Sequence, residues 1–71
     1  MNLRINRASV MFLAIDDVVM SDKDQKFRIT NISEKSVMLM ACDKDIHFKT
    51  MSIDNFLNEV WFFIGKNRAE C

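Results

Sequence analysis

The 71-residue chain contains no proline, one glycine (Gly65), no tyrosine and one histidine (His47). Without proline- or glycine-rich stretches it has neither a flexible linker nor a phosphate-cradling loop, so residues 1–71 read as one small domain. A single histidine and no tyrosine offer no base set against a nucleophile with a third group to orient it. The sequence therefore predicts a non-enzyme with no catalytic residues, no cofactor and no small-molecule substrate. An excess of either charge is missing too. Ten Lys plus Arg offset ten Asp plus Glu, so the composition encodes no generic electrostatic grip on nucleic acid. No run approaches the ~18 apolar residues of a membrane span, and no membrane partner is expected.

Cysteine is scarce as well. Cys42 and Cys71 are the chain's two thiols, fewer than the disulfide framework of a small secreted domain requires. They predict reduced thiols in a cytoplasmic protein, with Cys42 buried in an apolar run. Arg4 and Arg7 ahead of residues 8–15 have the outline of a secretion signal, but Asp16-Asp17 stands where small residues should follow. That segment is expected to be a buried strand or turn, and the two Asp side chains to bond nearby backbone amides. Asp43, Asp45 and His47 alternate along the chain. On a strand they would spread over ~13 Å, too far to share one ion bonded at ~2 Å. The spacings of Cys42, Cys71 and His47 match no zinc site, and no metal is expected.

What is abundant is apolar side chain: 49% of residues are hydrophobic, with six Met and six Phe. A domain this short buries only ~60% of the surface its unfolded chain exposes. The surplus predicts an interface with another protein or with a second copy of the chain. Polar clusters at residues 21–25, 31–36 and 43–45 recur about every ten residues, as turns of antiparallel hairpins do. Between them, residues 26–30 and 46–49 alternate polar and apolar, like half-buried strands. Residues 37–42 are apolar on both faces, which suits a central strand or one that meets a partner.

The C-terminal stretch supports two readings. Ile53, Phe56, Leu57, Val60, Trp61 and Ile64 form a helical stripe with Ser52 placed to cap it. Residues 60–64, however, are β-branched and aromatic throughout. Either one helix runs to residue 64, or a short helix over Ile53–Asn58 precedes a strand over 60–64. In the second case Val60, Phe62 and Ile64 face inward, and Trp61 and Phe63 outward.

The order of these segments is similar to that of a known group. An apolar stretch over residues 10–15 leads to Asp16-Asp17 and a first strand, then come a polar loop, 27–30, a tight turn, 37–42, a turn and 46–51. A helical turn over Ile53–Asn58 and a closing strand complete the layout. This resembles the small SH3-like β-barrels of phage and prophage accessory genes. The resemblance implies a mainly β fold, an antiparallel barrel of about five strands with one short helix or 3-10 turn near the C-terminus. It also implies a non-catalytic module that binds host proteins or nucleic acid. A protein-binding patch is expected at Trp61 and Phe63, extended by the adaptable thioethers of Met38, Met40 and Met51. The alternative is nucleic-acid binding beside exposed aromatics, using Lys26, Arg28 and Lys49 on outward strand faces with Arg4 and Arg7 near the N-terminus.

Overall fold

Hairpin spacing and strand alternation produce one antiparallel sheet in the computed structural model, which describes residues 3–42 and 48–66. Its strands are β1 (Leu3–Arg4), β2 (Asp17–Ser21), β3 (Lys26–Ile32), β4 (Ser36–Ala41), β5 (Phe48–Ser52) and β6 (Trp61–Lys66). A 3-10 turn at Val10–Phe12 precedes β2, and helix α1 (Ile53–Asn58) joins β5 to β6. The spatial order is β1-β6-β2-β3-β4-β5. β2 to β5 form a meander, and the last strand returns to pair with the first two. The fold is thus mainly β, as the pattern predicts, but with six strands rather than about five. β1 and β5 stand at the two edges, so the sheet is open and only approximates a barrel. Asp43, Asp45, His47 and Cys71 lie outside the described residues.

Turn chemistry closes the β2–β3 hairpin without glycine. In the β2–β3 turn the Asp24 N–H donates to the Ser21 carbonyl at 3.1 Å, and Asp24 takes φ 62°. That left-handed slot usually belongs to Gly in a three-residue hairpin loop. The Ser21 hydroxyl accepts from the N–H groups of Lys23 and Gln25. Before β2, the Asp17 N–H donates to the Ala14 carbonyl at 3.1 Å, while the Asp17 carboxylate accepts from the Ala14 N–H at 2.9 Å. Asp17 is therefore buried in a turn role, as its position suggests. Asp16, at φ 80°, holds the third position of the same turn, where a positive φ is ordinarily a glycine's.

The α1 helix spans the predicted Ile53–Asn58, and the Ser52 hydroxyl accepts from the Asn55 N–H at 3.1 Å as its N-cap. Such a cap contributes about 1 kcal/mol. Ile53 and Phe56 turn into the core, and Glu59 ends the helix in an extended conformation that starts β6. The short-helix-plus-strand reading is therefore the one observed, with β6 running to Lys66.

The core lies on one face of the sheet. Val19, Phe27, Ile29, Val37, Leu39 and Ala41 project from β2, β3 and β4 toward Ile5, Val10, Ile53 and Phe56. Trp61 sits among them at 1% exposure. Its ring stacks on Phe56 at 5.1 Å and meets Phe27 edge-on at 5.5 Å, and its indole N–H donates to Glu59 at 3.1 Å. This overturns the expectation that Trp61 faces outward. Register decides the matter: Val19 pairs with Phe63 and Ser21 with Trp61, so both aromatics share the face of Val19. A bulge between Val18 and Val19 in that pairing also shifts Ile64 out of step. Val60, Phe62 and Ile64, expected inward, are half-buried and outside the core cluster.

Two outcomes test this account. Trp61→Ala should cost ~3–5 kcal/mol, a large share of the roughly 4–11 kcal/mol available to a chain of this length, so urea titration should find a much lower midpoint or little folded protein. An unchanged midpoint would place Trp61 outside the core. Asp24→Gly should relieve the left-handed penalty and raise stability by ~0.5–1 kcal/mol in the same titration.

Candidate interaction surfaces

The N-terminal segment is built to present apolar side chains rather than to bury them. Asn6 and Ser9 clasp each other: each side-chain oxygen accepts the other's backbone N–H at 2.9 Å. The Val10 N–H then donates to the Asn6 carbonyl at 2.8 Å, which starts the 3-10 turn. With about three residues per turn, only one in three can point at the core. Val10 does, whereas Met11, Phe12 and, further on, Ile15 are left outside. The expectation of a buried strand or turn for residues 8–15 is corrected accordingly. Leu3, on the edge strand β1, is exposed as well, and together these four range from 57% to 80% exposed. Leu3 and Phe12 flank a hollow of about 270 Å³ lined also by Arg4, Ile5, Ser9, Leu13 and Phe63.

The residues expected to form one protein-binding patch are dispersed. Trp61 is core. Phe63 packs against the core from the floor of that hollow, and Met51 packs against the core further along the sheet. Met38 and Met40 stand on the opposite, outer face of β4, with Met38 at 38% exposure. The residues missed by sequence reasoning are Leu3, Met11, Phe12 and Ile15. For Met11, Phe12 and Ile15 the one sequence signal is a run of adjacent apolar residues too crowded for a single buried stripe, and Leu3, between Asn2 and Arg4, has none.

The cations also separate by place. Cross-strand partners share a face, so the pairings Arg4–Phe62, Phe62–Met20 and Met20–Lys26 set one row across the outer face. A second row runs Gly65–Val18–Arg28–Met40–Phe48. Lys26 and Arg28 thus face outward as expected, and Arg4 joins them. Lys49 does not. It pairs with the core residue Leu39, and its ammonium lies 5.7 Å from the Phe27 ring and 6.0 Å from that of Trp61. Its stem rides over the aromatic core while its head stays wet, and Phe48 takes the outer face at 62% exposure. The predicted sides of Phe48 and Lys49 are therefore exchanged. Arg7 forms an exposed ion pair with Asp54 at 2.9 Å near α1, a contact of ~0–1 kcal/mol.

Cys42, just past β4, is disulfide-bonded, and the chain's other cysteine is Cys71. The expectation of a reduced Cys42 thiol is thereby overturned. A disulfide belongs to oxidising compartments more often than to the cytosol, so the inference from unpaired thiols to a cytoplasmic protein loses its basis. Among the described residues, no helix is long and apolar enough to cross a membrane, and no cluster of three acidic, His or Cys side chains could hold a metal.

Maleimide labelling without reductant should modify no thiol, and after reduction it should modify both cysteines. Two reactive thiols in the untreated protein would restore the reduced state. Comparison with protein-family models, with curated proteins and with solved structures finds no match, which leaves the chemistry of these surfaces as the ground for function.

Proposed function

We propose that this protein is a non-catalytic protein-binding module that docks its partner on the patch formed by Leu3, Met11, Phe12 and Ile15. The observation that carries this reading is the exposure of Leu3 and Phe12 beside a largely apolar hollow, with Met11 and Ile15 exposed on the same N-terminal segment. Contiguous apolar surface on a small domain marks an interaction site more often than a neutral surface. The Asn6–Ser9 clasp and the Asp17 turn fix both ends of the segment, so little order has to be gained on binding. The partner inserts an apolar side chain between Leu3 and Phe12, over Phe63. The resemblance to phage-type accessory barrels adds the class of partner, a host protein that the bound module modulates or inhibits.

The test compares capture of partners from a host lysate by the wild-type chain and by Leu3→Asp, Phe12→Asp and Phe48→Ser variants. A discrete partner held by wild type and by Phe48→Ser should be lost by the two Asp variants, with affinity down ~30-fold for a hot-spot contact of ~2 kcal/mol. Urea midpoints should stay within ~0.5 kcal/mol of wild type, as for surface changes. Equal capture by all four proteins would remove the patch from the function.

A further inference from the structure

We propose that residues 67–71 cross the outer face of the sheet as a strap, and that a disulfide between Cys42 and Cys71 latches it there and releases it on reduction. This device is independent of the N-terminal patch. Val18 is the first observation. It points away from the core, since its neighbour Val19 belongs to the core cluster and Val18 does not, yet its exposure is 0%. The far side of a one-layer antiparallel sheet is ordinarily solvated, so a further segment covers Val18. The Arg28 Nε, which is 3.8 Å from Asp16, is buried as well, and Arg28 pairs with Val18. Outer-face side chains nearer the β5 edge are open by contrast, with Met38 at 38% and Phe48 at 62% exposure.

The ends of the segment fix its path. Lys66 closes β6 opposite Asp17, and Cys42 follows β4 with its N–H donating to the Lys26 carbonyl at 3.0 Å. Two residues on from Met40, Cys42 continues the outward alternation of Met38 and Met40. It is disulfide-bonded, and Cys71 is the only other cysteine in the chain. From β6 to β4 are three inter-strand steps, about 14 Å at ~4.8 Å each, and from the level of Asp17 to that of Met20 and Lys26 is about 10 Å along the strands. The diagonal is thus about 17 Å. Five extended residues reach ~17 Å, and a disulfide adds ~5.5 Å between Cα atoms. That leaves little slack for a detour, the core face is filled, and the direct line runs over Val18 and Arg28. Gly65 fits the same crossing. The chain's one glycine pairs with Val18, and a glycine within a strand marks where another backbone comes close.

Reduction undoes the latch. A dithiol reductant gives two electrons to the S–S bond, two protons complete the Cys42 and Cys71 thiols, and the reductant closes its own disulfide. With the strap released, Val18 and the half-buried Met20 and Met40 meet solvent, so the state of one bond decides whether the sheet has a free apolar outer face.

Nuclear magnetic resonance of the oxidised, full-length chain tests the proposal. The Val18 methyl protons should show nuclear Overhauser contacts to residues 67–70, and a non-reducing digest of the monomer should yield one peptide pair joined through Cys42 and Cys71. Dithiothreitol, or the Cys71→Ser substitution, should abolish those contacts and raise the fluorescence of a dye that binds exposed apolar surface, while far-UV circular dichroism stays that of the folded sheet. The strap is overturned by an oxidised monomer without contacts between Val18 and residues 67–70, or by contacts seen only between differently labelled copies. The latch is overturned by a disulfide joining two chains, or by contacts that persist after reduction. A sheet that melts on reduction also overturns it, because the bond would then hold the whole fold rather than the strap.

Discussion

The packing of Trp61 between Phe56 and Phe27 is the contact on which the other elements depend. It joins the helix, the last strand and the central hairpin at one point. An aromatic pair of this kind adds ~0.5–1.5 kcal/mol beyond the area it buries, and the indole N–H stays satisfied by Glu59, two residues away. Because Trp61 opens β6 shortly after α1, its burial sets the sides of the residues that follow it up to the bulge opposite Val18 and Val19. Phe63 follows it onto the core side and Phe62 goes to the outer face. The functional surfaces are what remains once this wedge is in place.

A sheet with so little glycine needs other means to bend and turn. The bulge between Val18 and Val19 opposite β6, and a second between Ile29 and Asn31 opposite β4, supply local twist. Two Asp residues accept the left-handed backbone that a glycine would take more cheaply. Ser21, Ser33 and Ser52 satisfy turn and cap amides with their hydroxyls. Bulges curve the sheet around its single core, yet β1 and β5 do not meet, and the sheet stays open.

That openness accounts for the surplus of apolar residues. Part fills the core. Another part surrounds the N-terminal hollow, where a 3-10 turn cannot bury consecutive apolar residues, and a third lies on the outer face between Arg4, Lys26 and Arg28. The two surfaces differ in chemistry. One is apolar, presented on a short clasped segment. The other is a mixed cationic and apolar plane on the strands themselves. A protein side chain suits the first.

The sequence by itself determined the strand-forming segments 26–30 and 37–42, the hairpin turns near 21–25 and 31–36, the Ser52 cap and the helix over Ile53–Asn58. Each of these depends on local periodicity or on a side chain bonding its own backbone. The turn role of Asp17 was legible for the same reason. Tertiary structure alone decided which side of a strand faces inward. In residues 60–64 every side chain is apolar, so alternation names two sets without saying which is buried, and pairing with β2 put Trp61 inside. In β5 the same ambiguity sent Phe48 out and laid Lys49 across the aromatic rings. The outer-face grouping of Arg4 with Lys26 and Arg28 was likewise invisible in sequence, because it arises only when the last strand inserts between β1 and β2 and carries residues far apart in the chain onto one plane.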